Sequence, residues 1–96
     1  MRAPVKLLVA VDATGEGWIL DIKDVGSRDS TLIVEELGGW LWNCEHFCER
    51  TAEPMPREVG LYLVYCEAYL TDQEDDGDDF EFSKLDIRKI EFEGWH

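Results

Sequence analysis

The chain has 96 residues, of which 22 are Asp or Glu and nine are Lys or Arg, so its net charge is −13. So acidic a surface repels phosphate backbones and anionic membranes, which argues against direct nucleic-acid binding and favours a basic protein partner. Because 45% of the residues are hydrophobic and four are Trp, the chain is richer in apolar residues than a disordered acidic segment. We therefore expect one folded domain over residues 1–96.

The N-terminus has a basic residue followed by an apolar run, in outline like a secretory signal. The run Val5–Val11 stops at Asp12, which is at the short end for a signal peptide, and no stretch approaches the ~18 apolar residues of a membrane span. Three cysteines, an odd number, suit free thiols in a reducing compartment. We expect a cytoplasmic protein.

A first hairpin is predicted from Val5 to Lys23. Four apolar residues at every second position indicate a strand with one buried face: Val5, Leu7, Val9 and Val11. Two glycines in the next six residues provide a turn, after which Trp18, Leu20 and Ile22 alternate with Ile19, Asp21 and Lys23 in a second strand.

The middle segment, Ser30 to Arg50, is predicted to be a helix that Asp29 or Ser30 caps. Spacings of three and four residues place an apolar stripe on one side of it: Val34, Leu37, Leu41, Cys44 and Cys48. Gly38-Gly39 interrupts this pattern, and each glycine costs a helix ~1 kcal/mol, so we expect a break or kink there. A strand at Thr31–Val34 is the alternative.

A second hairpin is predicted from Val59 to Phe92, divided by an acidic loop, Thr71–Asp79. Its first strand has two largely apolar faces, as a central strand does. One face comprises Tyr62, Val64, Cys66, Ala68 and Leu70. The apolar phase of the return strand changes twice, which predicts bulges near Ser83-Lys84 and near Arg88-Lys89.

These elements predict an α+β fold of ββαββ order. Both hairpins belong to one antiparallel sheet, and the helix, broken or not at its glycines, packs on one face of that sheet.

Four residues of zinc-binding type occur: Cys44, His46, Cys48 and Cys66. Their spacing lacks the C-x-x-C pairs of zinc sites, so we expect core cysteines and no cofactor, with a small zinc protein as a lower-ranked alternative. The acidic loop follows the first half of a calcium loop, from Asp72 to Gly77, but Ser83 occupies the place of the bidentate Glu. We expect no metal there.

Catalysis is not expected, because no spacing in the chain groups a nucleophile with a base and an oxyanion donor. Instead, half of the acids, 11 of 22, lie between Val59 and His96, against three bases. A rigid array of carboxylates with aromatic anchors presents phosphate-like charge to a basic groove. The expected contact residues are Tyr65, Tyr69, Asp72, Glu74, Asp75, Asp76, Asp78, Asp79 and Glu81.

In size, acidity and lack of an enzymatic motif the chain is similar to nucleic-acid mimics of the phage or mobile-element type, although no motif identifies a family. We therefore expect an inhibitor that occupies a basic, nucleic-acid-binding protein. The alternative is a phage or mobile-element assembly protein that forms homo-oligomers through the apolar segment Trp40-Leu41-Trp42.

Overall fold

The structure, a computed structural model, describes the backbone of residues 1–40, 45–73 and 77–90, and the side chains of these residues apart from 40, 71–73 and 77–79. Within these residues the order of elements is β1 (Arg2–Val11), β2 (Gly17–Asp24), α1 (Arg28–Trp40), a 3₁₀ helix (Phe47–Arg50), β3 (Gly60–Gln73) and β4 (Gly77–Lys89). The fold is α+β, as predicted.

The four strands form one antiparallel sheet in the order β2-β1-β3-β4. The two predicted hairpins are confirmed, and they join through β1 and β3, which become the two central strands. The second hairpin ends earlier than predicted, because β4 ends at Lys89. Phe92, the predicted end, lies outside the described residues.

The core lies between the sheet and α1. The alternation predicted for β1 is confirmed, since Val5, Leu7, Val9 and Val11 are all buried. The predicted face of β3 is buried from Tyr62 to Ala68. Helix α1 packs against β1 and β2 with Ile33 and Leu37. The 3₁₀ helix adds Phe47, whose ring centre lies 4.9 Å from that of Phe82 on β4. Apolar residues of every element therefore meet in one cluster.

Helix α1 differs from its prediction at both ends. The cap is Ser27, not Asp29 or Ser30, because the Ser27 Oγ accepts a hydrogen bond from the Ser30 N–H at 3.0 Å. The helix continues through Gly38 and Gly39 to Trp40 without a break. The predicted C-terminal part is not one helix, since residues 45 and 46 are irregular and Cys48 belongs to the 3₁₀ helix. Leu41 and Cys44 of the predicted stripe lie outside the described residues.

One predicted bulge is confirmed and one is wrong. The pairing of β3 with β4 slips by one residue between Tyr65 and Glu67, opposite Lys84, whose φ of 55° is left-handed. Arg88 and Lys89 continue a regular ladder with β3. The change of phase at Ile90 needs no bulge, because β4 ends one residue earlier.

A bulge that the alternation did not predict lies in β2. Leu8 pairs with Asp21 and Val9 with Ile19, so Leu20 is the extra residue. Because of this extra residue, the alternation of buried and exposed positions in β2 shifts by one residue at the bulge. Ile19 and Ile22 are buried and Leu20 is 55% exposed, whereas the sequence predicted Leu20 and Ile22 on the same face.

The predicted acidic loop, Thr71–Asp79, is mostly strand. Pairing continues through Asp72 opposite Asp78 to Gln73 opposite Gly77. Main-chain hydrogen bonds extend a ladder that is already formed, and they outweigh the low β propensity of Asp, which depends strongly on context.

The second face of the sheet has no helix on it within the described part of the chain. We call it the open face. Arg2, Lys6 and Leu8 of β1 alternate with the buried residues and so lie on it, and the register adds residues from the other strands. These include Asp21, Lys23, Leu61, Leu63, Tyr65, Glu67, Tyr69, Glu81, Asp86 and Arg88.

Candidate functional site

The two strands of the second hairpin, β3 and β4, extend beyond the end of the neighbouring strand β1. Pairing of β1 with β3 begins at Arg2 opposite Tyr69, and main-chain hydrogen bonds between Met1 and Leu70 close that end. Residues 71–73 of β3 and 77–79 of β4 pair only with each other. We call residues 71–79 the acidic ribbon. It extends from the sheet as two strands.

The register of the acidic ribbon places acid opposite acid. Asp72 pairs with Asp78, and Thr71 pairs with Asp79. Like charges directly opposite each other destabilise an antiparallel pair. No Lys or Arg occurs between residues 71 and 83 to offset this repulsion. Three predicted contact residues lie outside the described residues: Glu74, Asp75 and Asp76.

An exposed aromatic residue lies where the acidic ribbon leaves the sheet. Tyr69 is 37% exposed and pairs with Glu81, another predicted contact residue. The Arg2 guanidinium lies 5.1 Å from the centre of the Tyr69 ring and its Nε lies 3.1 Å from a Glu67 carboxylate oxygen. The sequence prediction missed Arg2, because only the pairing of β1 with β3 brings it to Tyr69.

Tyr65 lies further into the open face, four residues before Tyr69. It is 39% exposed, and the Lys6 ammonium lies 5.7 Å from the centre of its ring. The structure therefore separates the two predicted tyrosines. Tyr69 stands at the base of the acidic ribbon, and Tyr65 stands in the middle of the sheet.

Two rows of residues cross the open face from β2 to β4. The tyrosine row is Lys23, Lys6, Tyr65 and Asp86, and the leucine row is Asp21, Leu8, Leu63 and Arg88. Each row has opposite charges at its two ends, and the charges of the second row are reversed relative to the first. Asp86 and Arg88 form an ion pair with each other at 3.7 Å, and their side chains are 64% and 72% exposed.

His46 and Cys48 lie at the turn between β1 and β2. The His46 Nδ1 is 3.2 Å from a Glu16 carboxylate oxygen, and its ring centre is 5.1 Å from that of Trp18. Burial is the main cause that raises the pKa of the Cys48 thiol. A thiol whose pKa is raised is a poor nucleophile and a poor metal ligand near neutral pH.

Cys66 is not in this group. It is buried on β3 opposite Val5, whereas Cys48 packs near Gly17 and Val9. At about 3.3 Å per strand residue the two thiols are on the order of 13 Å apart, too far for one zinc ion. Burial raises the pKa of Cys66 to about 12. Cys44 lies outside the described residues, and within the described set no three His, Cys, Asp or Glu residues could hold a metal ion.

No protein-family model, curated protein or solved structure matches this chain. None of the helices that the structure describes is long and apolar enough to cross a membrane.

Proposed function

We propose that the chain is a small acidic protein-binding module, of the nucleic-acid-mimic type found in phages and mobile elements. It occupies the groove of a basic, nucleic-acid-binding partner and acts by occupancy without catalysis. The observation that carries this proposal is the backbone register of the acidic ribbon, in which Asp72 pairs with Asp78 on a two-stranded extension of the sheet.

The repulsion within the ribbon gives a reason for binding. Asp72 and Asp78 are partners in the backbone register, and no base occurs within several residues along the chain. A cationic groove supplies the missing counter-charge, so part of the repulsion present in the free protein is removed in the complex. The net charge of −13 adds long-range attraction, which raises the association rate most at low ionic strength.

An anchor is also needed, because exposed charge pairs alone contribute little affinity. Tyr69 is the nearest described aromatic residue to the ribbon on the open face and is partly exposed. Aromatic side chains of this kind dominate binding energies when a partner covers them. Tyr69 and Glu81 therefore form the base of the proposed contact, and the acids from Asp72 to Asp79 form its tip.

A cytoplasmic location is part of the proposal. Both cysteines that the structure describes, Cys48 and Cys66, are free thiols. Free thiols persist in reducing compartments, where nucleic-acid enzymes are also found.

The test compares two variants of equal charge. In the ribbon variant Asp75, Asp76, Asp78 and Asp79 are changed to Asn. In the control variant the same number of exposed acids is changed to the corresponding amides at the end of β2 and in α1, away from the ribbon: Asp24, Asp29, Glu35 and Glu36. Four carboxylates are lost in each, so both have a net charge of −9 instead of −13.

Each protein is used to capture partners from a lysate of its native host, with washes at low and high salt. We expect a basic nucleic-acid-binding protein that the wild type and the control retain at low salt, that the ribbon variant loses, and that nucleic acid displaces in competition. Equal capture by the ribbon variant, or a partner that nucleic acid does not displace, would show that the ribbon is only a solvated turn.

A further inference from the structure

The open face of the sheet is unusual in how its charges are arranged. In the leucine row the β2 end is acidic (Asp21) and the β4 end is basic (Arg88), with two leucines between them. In the tyrosine row the β2 end is basic (Lys23) and the β4 end is acidic (Asp86). Rotating the face by half a turn about the line between β1 and β3 exchanges the two ends of each row. The acidic end of each row then lies over the basic end of the same row in the unrotated face, so the charges of two such faces are complementary.

We infer that the open face binds the open face of a second copy of this chain, about a twofold axis that runs parallel to the strands between β1 and β3. This symmetry exchanges β1 with β3 and β2 with β4. Asp21 of each copy then faces Arg88 of the other, and Lys23 faces Asp86. The inference does not depend on the proposed function.

The centre of the face matches under the same operation. Leu8 of one copy meets Leu63 of the other, so the apolar middle of the leucine row is buried between two sheets. Lys6 meets Tyr65, which repeats between copies the cation–ring contact that the two residues make within one chain at 5.7 Å.

The shape of the face agrees with its charge. A shallow depression of about 150 Å³ is lined by Lys6, Leu7, Leu8, Asp21, Lys23 and Leu63, and the Lys6 ammonium lies 5.7 Å from the centre of the partly exposed Tyr65 ring. Because the axis carries Tyr65 onto Lys6 of the other copy, the ring of each copy enters the depression of the other. Both ring contacts form at once, as a twofold interface requires.

The area is sufficient for a specific but weak dimer. Four strands about 4.8 Å apart and eight residue steps of about 3.4 Å give a face of roughly 500 Å², or roughly 1,000 Å² for both copies. Specific interfaces start near about 1,000 Å². The net charge of −13 on each copy opposes association, and salt screens it. The dimer is therefore measured at raised salt, where the long-range repulsion between the two acidic chains is weakest.

The twofold axis also fixes where the acidic ribbons lie in the dimer. Because the axis is parallel to the strands, it leaves the strand direction unchanged, so the ribbons of both copies emerge from the same end. The dimer would present two acidic ribbons to one partner, which would bind them through the acids of the ribbons, because Tyr69 lies on the face that the second copy covers. The affinity of the pair would exceed that of either ribbon alone.

The experiment is sedimentation velocity on the full chain at 0.3 M salt, from about 1 to 500 µM. We expect a concentration-dependent dimer for the wild type, within the range expected for a small polar interface. Asp21→Arg and Arg88→Asp should each weaken the dimer at least tenfold, since each sets like charges opposite each other. The double variant, Asp21→Arg with Arg88→Asp, should recover the wild-type dissociation constant to within a few-fold.

This recovery can only come from contact between copies. Within one chain Asp21 and Arg88 lie at opposite edges of the sheet, three strand spacings or about 14 Å apart. An effect of net charge alone would change the dimer in the opposite direction. Asp21→Arg makes the chain less negative, so it would strengthen association if only net charge mattered. Glu35→Arg on α1 makes the same change in charge away from the open face, and it should not weaken the dimer.

Circular dichroism shows whether each variant is folded, and an unfolded Asp21 or Arg88 variant is replaced by the equivalent reversal at Lys23 and Asp86. A wild type that remains monomeric at 500 µM would overturn the inference. If neither single reversal weakens the dimer, or if the double reversal does not restore it, the chains associate through a different surface. Either result would also overturn the inference.

Discussion

Ser30 of α1 donates a hydrogen bond to the main-chain carbonyl oxygen of Pro4 on β1, 2.7 Å away, and its side chain is fully buried. The same hydroxyl oxygen lies 2.5 Å from the Ser27 Oγ, which caps the helix. One buried side chain thus joins the first turn of the helix to the start of the sheet, across 26 residues of sequence.

Replacing Ser30 with Ala should therefore destabilise the protein by about 0.5–1.5 kcal/mol, because the main-chain carbonyl of Pro4 loses its hydrogen bond from a fully buried hydroxyl. Thr31→Ala is the matched control. The Thr31 hydroxyl also bonds the main chain, at Ser27, but it is exposed and should matter by less than about 0.5 kcal/mol. Urea unfolding measures both, and equal losses would show that the buried bond has no special role.

Glu53 stabilises the bulge of β4. Its carboxylate accepts hydrogen bonds from the main-chain N–H groups of Lys84 and Leu85, which the bulge leaves outside the ladder. We expect Glu53→Ala to cost about 1–3 kcal/mol of unfolding free energy and Glu53→Gln, which keeps one acceptor oxygen, to cost less. The control is Glu49→Ala on the exposed side of the 3₁₀ helix, expected within about 0.5 kcal/mol of wild type. A Gln variant as unstable as the Ala variant would contradict this account.

Gly17 is required by its contact with Cys48. A methyl group at residue 17 would lie 2.8 Å from the Cys48 Sγ, closer than packed atoms approach. Gly17→Ala should therefore cost about 1–3 kcal/mol through overpacking. In a Cys48→Ala background the sulfur is gone, and the same change should cost at least about 1 kcal/mol less. A double-mutant cycle from thermal or urea unfolding measures the coupling, and additive losses would place the strain elsewhere.

Gly39 gives the opposite expectation. It lies in the last turn of α1 with helical geometry, and a methyl group there would meet no atom of the described structure within 4 Å. Gly39→Ala should stabilise the protein by about 0.5–1 kcal/mol, because Ala restricts the unfolded chain and favours the helix. An increase in melting temperature would support this, and a decrease would show that a glycine is required at the C-terminal end of α1.

Asp12 makes the stability of the β1–β2 turn depend on pH. Its pKa is lowered from its usual 3.8, chiefly by the hydrogen bond from the Thr14 hydroxyl at 2.6 Å. Because the folded pKa lies below the unfolded one, the stabilisation is complete above the unfolded pKa and is lost as pH falls through the folded value. The difference in stability between wild type and Asp12→Asn should be constant at pH 6–7 and shrink towards pH 3. Unfolding curves across this pH range measure the difference. If the difference does not shrink, the effect of Asp12 comes from the geometry of its hydrogen bonds and not from its charge.

Alternation alone was enough to predict the faces of the central strands. Every second residue from Val5 to Val11 in β1 is predicted to be buried and is buried. The same is true of every second residue from Tyr62 to Ala68 in β3. The bulge at Lys84 was visible because apolar residues on both sides of it are in opposite phase. Local patterns of this kind are set by the two-residue period of a strand.

The features that sequence reasoning missed depend on contacts between distant residues. Leu20 reads as part of an alternation, and only the pairing with β1 shows that it is an extra residue. The sequence predicts Ser30 as a possible helix cap, but its hydroxyl donates a hydrogen bond to the Pro4 carbonyl, and Ser27 caps the helix. The rows of the open face required the order of the strands, since Asp21 and Arg88 lie on different hairpins and no local pattern relates them.

The edge of β4 has a property that bears on how copies of this chain can meet. The segment after the 3₁₀ helix runs beside it, with Thr51 bridged to Phe82, the Ala52 N–H bonded to the Phe82 carbonyl and the Glu53 carboxylate on the amides of the β4 bulge. An uncovered strand edge is a template on which further chains add without limit. Covering this stretch leaves less of the β4 edge for a strand of another chain to add to, and the bulge in β2 interrupts the opposite edge in the same way.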